Sequence, residues 1–267
     1  MIWLSEQFAA SLDHPWAEVE HAFAIKGEEY RNPPGANRRT LRFELGGKGY
    51  FLKLHWGVGW KEILKNLLSL RLPVIGAANE WKAIQRLQAL GVETMRLEAF
   101  GVEGWNPATR RSFVITRELK NTISLEDYCA DWAERPPAFA IKQQLIRRVA
   151  EMTRQLHKNG VNHRDLYICH FLLQQPWNGD DRSLHLYLID LHRVQLRKRV
   201  PLRWQVKDVA SLYFSTMGAG LARRDLFRFL RVYHDQPLRQ VLTQHRGFLR
   251  AVEKRAMALR AKGVSDE

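Results

Sequence analysis

The order of apolar and polar positions along the chain separates into two regimes. In residues 40–45, Leu41, Phe43 and Leu45 alternate with polar partners, the period of a half-buried strand. Gly46-Gly47-Lys48-Gly49 supplies a hairpin turn, and residues 50–55 read as the returning strand. Residues 19–24 predict a first strand, and 96–100 and 112–116 two more, joined by a Gly/Asn/Pro turn at 104–107. Residues 1–18 predict a short leading element, and 26–39 a turn-rich loop. Helical spacing sets in at 60–72, where Trp60, Ile63, Leu64, Leu67 and Leu68 form a stripe flanked by Lys61, Lys65 and Arg71; Pro73 and Gly76 close it. A second helix is predicted over 77–90, with Gly91 as its stop signal.

From residue 121 the pattern turns helical. Ser124 is a candidate cap. Ile141, Leu145, Val149, Met152 and Leu156 mark a long amphipathic helix over 138–159, and 204–217, 222–234 and 238–262 predict closing helices. Strands first and helices second indicate an α+β fold with two lobes and a cleft between them. The N-terminal lobe, 1–118, is an antiparallel sheet with helices; the C-terminal lobe, 119–267, is mostly helical. Arg117-Glu118-Leu119 is the link.

Charge narrows the partners. Forty-two Lys and Arg against 28 Asp and Glu leave +14, which calls for an anionic partner. No nucleic-acid motif is present, so nucleic acid rests on composition alone, and lipid or a phosphorylated substrate is favoured. Two cysteines, Cys129 and Cys169, make no disulfide framework and favour a reducing compartment. No 18-residue apolar run and no signal-peptide pattern are seen, so the expected location is cytoplasmic.

The candidate chemistry centres on Asn162-His163-Arg164-Asp165-Leu166, which follows a long helix and a Gly and precedes an apolar run. That is the order of a kinase catalytic loop, which holds one carboxylate near a substrate hydroxyl. Asp165 is the candidate for that carboxylate, with His163 and Arg164 shaping the loop. His170 stands where kinases carry a metal-binding Asn. Asp190 ends the apolar segment Leu186-Tyr187-Leu188-Ile189 and is the candidate Mg²⁺ ligand, a hard oxygen for a hard cation. Lys53, mid-strand, is a candidate phosphate contact with Glu80 as its ion-pair partner. Taken singly, Lys53 is a solvent-facing strand lysine and Glu80 a helix-start carboxylate; their order with the two aspartates gives them meaning. Asp208 is a candidate brace for the catalytic loop. Two kinase features are missing. No G-x-G-x-x-G lies between the first strands, and the segment after Asp190 is short and lacks Ala-Pro-Glu, which disfavours a peptide acceptor.

Lys53, Glu80, the run from Asn162 to Phe171, Ile189-Asp190-Leu191-His192-Arg193, Lys207-Asp208-Val209-Ala210 and Gly57-Val58-Gly59-Trp60-Lys61-Glu62-Ile63 together resemble the lipopolysaccharide core heptose kinase family. Asp-Leu-Tyr-Ile-Cys-His is the most specific piece, and the resemblance covers nearly the whole chain. It implies an α+β, protein-kinase-like fold and ATP- and Mg²⁺-dependent phosphorylation of a heptose in the lipopolysaccharide inner core, peripheral at the cytoplasmic face of the inner membrane of Gram-negative bacteria. It also implies acyl carrier protein as an acidic partner suited to the +14 charge. With nucleotide held by Lys53, Glu80 and Glu118, the expected acceptor contacts are Arg193, Arg197 and Arg199, in the basic run that follows Asp190. An aminoglycoside- or choline-type phosphotransferase shares the catalytic logic, but needs an acidic pocket where this chain is basic. A non-catalytic basic module is disfavoured by the intact Lys53, Asp165 and Asp190.

Overall fold

The computed structural model describes residues 1–30, 37–68 and 76–265, and the chain divides into two compact units. Unit 1 comprises Met1–Gln88, Met95–Leu119 and Leu191–Arg193; unit 2 comprises Ala89–Thr94, Lys120–Asp190 and Val194–Glu267. Residues 31–36 of the expected loop, Arg71 and Pro73 at the end of the first helix, and the side chains of Leu67 and Leu68 lie outside the description.

Unit 1 runs β1 (Ile2–Leu4), α1 (Glu6–Ala9), α2 (Glu20–Phe23), β2 (Glu28–Glu29), β3 (Arg38–Leu45), β4 (Lys48–His55), α3 (Gly59–Leu68), α4 (Ala78–Ala89), β5 (Leu97–Glu103) and β6 (Arg111–Arg117). Its six strands form one antiparallel sheet in the order β1-β5-β6-β4-β3-β2. Alternation along β3 and β4 puts Leu41, Leu52 and Leu54 into a core with Phe8, Phe113 and Ile115, all of them buried. The strand expected over 19–24 is instead the helical turn α2. Val19 and Ala22 are its buried positions, three apart, the spacing of one helix face rather than one strand face.

Unit 2 runs β7 (Thr122–Ser124), α5 (Leu125–Tyr128), α6 (Phe139–Lys158), β8 (Val161–Asn162), β9 (Phe171–Gln174), β10 (Leu186–Leu188), β11 (Gln195–Leu196), α7 (Leu202–Ser215), α8 (Arg223–His234), α9 (Leu238–Gln244) and α10 (Arg246–Ser265). Ser124 caps α5, its hydroxyl accepting from the Asp127 amide at 3.0 Å. Leu145, Val149, Met152 and Leu156 of α6 are buried. The helix expected over 238–262 is two helices. The chain turns at His245, whose ring stacks on His234 with centroids 4.0 Å apart and meets Gln236 Oε1 at 2.9 Å. The short strands β9 and β10 pair with each other, β7 lies on the other side of β9, and β8 pairs with β11.

Two short segments group apart from their sequence neighbours. Residues 89–94 join unit 2 because Leu188 N donates to Glu93 O at 2.9 Å and Thr94 Oγ1 to Leu188 O at 2.6 Å. Residues 191–193 join unit 1, where Asn79 Nδ2 donates to His192 O at 2.8 Å.

The exit of α6 has one sharp requirement. Gly160 has a φ of +76°, and a Cβ there would meet the Arg197 carbonyl oxygen at 1.8 Å. That closeness lets Arg197 N donate to Gly160 O at 2.8 Å and sets β11 beside β8. Gly160→Ala therefore combines left-handed strain of about 1–3 kcal/mol with a backbone clash. Gly91, at φ +68° with nothing within 4 Å of its would-be Cβ, carries the strain alone. Thermal denaturation should show a clearly larger drop in melting temperature for Gly160→Ala than for Gly91→Ala; equal drops would remove the clash from the account.

Candidate active site

In unit 1, Lys53 lies opposite Thr40 and Val114 in the middle of the sheet, so its backbone cannot shift. Its Nζ meets Glu80 Oε1 at 2.6 Å. Glu80, in the first turn of α4, is only 1% exposed, whereas Lys53 retains access to solvent. A carboxylate buried that deeply persists because it is paired, and it fixes a lysine that still has access to solvent. Beside them His55, on the same strand, has its pKa lowered to about 4, chiefly by burial. Glu118, expected at the nucleotide, has its carboxylate in the fork of Arg42, with Nε at 2.7 Å and Nη2 at 2.9 Å. It clips β3 to the end of β6.

In unit 2, one carboxylate builds the loop. Asp208 on α7 is fully buried and accepts from the amides of His163 at 2.7 Å and Arg164 at 2.8 Å. His157 Nε2 approaches the same carboxylate at 3.3 Å, and its Nδ1 meets the Tyr233 hydroxyl at 2.7 Å. With its amide held, Arg164 adopts a φ of +76° and the chain reverses to present Asp165. His163 is buried; its Nε2 donates to Ile189 O at 3.0 Å, and burial lowers its pKa, so the ring is a neutral strut. His170 Nδ1 donates to Asp165 O at 2.8 Å, and Ile189 N to His170 O at 3.0 Å. These bonds bring Asp190, itself at φ +60°, to within 3.5 Å of His170 Nε2 through its Oδ2. Asp165, His170, Asp190 and Asp208 thus converge as their sequence order suggests.

The basic run is less coherent. Arg197 turns back to Gln195, Nη2 to Oε1 at 2.8 Å, and is partly buried; Arg199 is exposed; Arg193 groups with unit 1. Lys207, named above only within a family motif, and Trp204, not singled out, also stand at this site. Lys207 Nζ lies 3.6 Å from Asp165 Oδ1, and Trp204 carries cations against its ring. The signal was position: both stand within a helical turn of Asp208.

The neutral rings make stability depend on pH. The unfolded His55 side chain takes a proton near its ordinary value of 6.5, the folded one only near 4. Stability from the neutral ring is complete above the unfolded value and is lost as pH falls through the folded one. The melting temperature should therefore fall between pH 6.5 and about 4. His55→Gln should flatten that slope; an unchanged slope would take His55 out of the acid limb.

Comparison with known proteins agrees with this geometry. The model of the lipopolysaccharide kinase (Kdo/WaaP) family matches residues 22–233. The lipopolysaccharide core heptose(I) kinase WaaP of Escherichia coli is 52% identical over 266 residues, 99% of this chain and 98% of that protein. The Pseudomonas aeruginosa protein of the same name is 49% identical over 247 residues, 92% of this chain and 90% of its own. A solved structure of WaaP in complex with acyl carrier protein superposes with a TM-score of 0.83 at 41% identity, covering 97% of this chain and 99% of that one. The α+β, protein-kinase-like class expected from the sequence is the fold these relatives share with it. With a pinned catalytic loop, a Lys–Glu pair and near full-length identity of about half, the chain belongs to the lipopolysaccharide kinase (Kdo/WaaP) family.

Proposed function

We propose that this protein is an ATP-dependent kinase that phosphorylates a heptose of the lipopolysaccharide inner core, as its relatives are named for doing. The observation that carries the reading is the Asp208-pinned loop, which presents Asp165 with Asp190 and His170 beside it. Asp165 orients the acceptor hydroxyl and takes its proton as that oxygen bonds to the γ-phosphorus and the bond to the ADP bridging oxygen breaks. Lys53, steadied by Glu80, offers its charge to the nucleotide phosphates.

The residues fit a magnesium ion. Among the described residues no group of three or more His, Cys, Asp or Glu gathers as a metal cage. His170 donates through Nδ1 to the Asp165 carbonyl and leaves its Nε2 3.5 Å from Asp190 Oδ2, so a nitrogen and a carboxylate oxygen stand side by side as donors for an ion. Asp190, with His170 beside it, would hold the ion, which supplies charge neutralisation at the transferred phosphoryl group.

Two further partners follow from the same reading. Acyl carrier protein accompanies the solved relative. Unit 2 here contains an apolar cavity of about 360 Å³, lined by Leu125, Trp132, Ile146, Leu212 and Phe229 among others, space of the right chemistry for an acyl chain. In unit 1, Trp56, Trp60, Leu64 and Trp105 expose between 42% and 88% of their surface. The start of α3 and the turn after Trp105 touch, since Gly59 N donates to Ala108 O at 3.0 Å. Of the expected stripe, Ile63 is buried, while Trp60 and Leu64 face out with the exposed Lys61. Indoles beside lysines suit the interfacial zone of an anionic bilayer, the cytoplasmic face of the inner membrane in this reading.

Asp165→Ala should cut phosphoryl transfer to a heptose-containing core glycolipid by at least ~100-fold while ATP binding persists. His170→Asn should keep much of the activity, since Asn is the usual kinase residue there. Near-normal turnover by a folded Asp165→Ala protein would end the catalytic assignment.

Sedimentation with phosphatidylglycerol-containing vesicles tests the docking face. Binding should weaken between low and physiological salt and fall further in Trp60→Ser and Lys61→Glu. Salt-independent binding that both variants retain would leave the exposed indoles for another partner.

A further inference from the structure

The amino end of α7 gathers positive charge around one ring. Arg164 Cζ lies 5.4 Å from the Trp204 ring centroid, Arg203 Cζ 5.5 Å and Lys207 Nζ 5.9 Å. The three come from different positions: Arg164 from the catalytic loop, Arg203 from the first turn of the helix, and Lys207 one turn further on. The amino end of the helix adds a partial positive charge of its own. Like charges so placed repel, and an indole face offsets only part of that cost. Among the described residues Arg203 pairs with no carboxylate, and it is exposed. Lys207 does meet one, since its Nζ stands 3.6 Å from Asp165 Oδ1. The positive field therefore begins at the catalytic carboxylate and spreads outward along Trp204.

We propose that Arg164, Arg203 and Lys207, held on the Trp204 ring, form the subsite that binds an anionic group of the acceptor glycan. That group, a carboxylate or phosphate, would neighbour the hydroxyl that Asp165 addresses. The proposal rests on the kinase reading above and replaces Arg197 and Arg199 as the principal acceptor contacts. The physical case is direct. Guanidinium groups match carboxylate and phosphate oxygens in a fork geometry, and a cation–π contact with the indole keeps each of them near the ring before the ligand arrives. Lys207 acts partly through another residue. By touching Asp165 it fixes the carboxylate's direction, so it is a positioning residue for the proton transfer as well as a wall of the subsite. The same cations could instead serve the nucleotide phosphates, and the kinetics separate the two.

The experiment is steady-state phosphorylation of a purified, unphosphorylated heptose-containing core glycolipid, with ATP and acceptor varied independently. Arg203→Ala should raise the acceptor KM about tenfold or more, with the KM for ATP within about twofold of the parent. Arg203→Lys should recover part of the loss, and Trp204→Leu, which frees the forks, should raise the acceptor KM as well. Lys207→Met should lower kcat in addition to raising the acceptor KM, and Lys207→Arg should restore kcat more than KM. Because Arg203 is exposed, its variants report on binding rather than folding, and a thermal melt confirms it. An unchanged acceptor KM in Arg203→Ala would overturn the subsite, and a rise confined to the KM for ATP would assign the cations to the nucleotide instead. If the parent transferred no phosphate to the glycolipid, the heptose-kinase reading itself would fall, and the subsite with it.

Discussion

A buried aspartate with two amides in its grip sets the chemistry of unit 2. Asp208 is removed from water, and its two shortest bonds come from the main-chain N–H groups of His163 and Arg164, with the His157 ring as a third, longer contact. Such bonds to a charged group contribute about 1.5–3 kcal/mol each, and losing the acceptor costs more than the bonds are worth because the donors stay desolvated. The left-handed turn at Arg164 persists under this hold, and the direction of Asp165 follows from the turn. His157 and Tyr233 extend the arrangement into α6 and α8, so the helical core and the reactive loop are one hydrogen-bonded unit.

Unit 1 solves a simpler problem with the opposite economy. It needs one cation that faces outward yet does not wander, and it obtains this by burying the partner rather than the cation. The sheet holds the lysine backbone between two paired strands, and the helix start holds the glutamate.

What could be read from the sequence was whatever depends on residues close together in the chain. The hairpin around Gly46-Gly47, the capped helix at Ser124 and the order His-Arg-Asp followed by Asp190 are local patterns, and each has its structural counterpart. The unforeseen elements and contacts came where a distant side chain decides. Residues 19–24 have strand composition, but two burial points three apart need a helical turn. Glu118 looks available until Arg42, far back on β3, takes its carboxylate. Lys207 and Trp204 carried no pattern of their own; they matter because α7 crosses beneath the loop that Asp208 holds.

The stretch after Asp190 has a consequence for control. In many phosphoryl-transfer enzymes that stretch is a long mobile strap, ordered only after modification. Here it is stitched down along its length. His192 O is taken by Asn79, Gln195 and Leu196 pair with β8, Arg197 N is bonded to Gly160 O, and Val200 O accepts from Gln205. A strap so anchored is already ordered, so a modification that works by ordering a loose segment has no disorder to remove along these anchored residues.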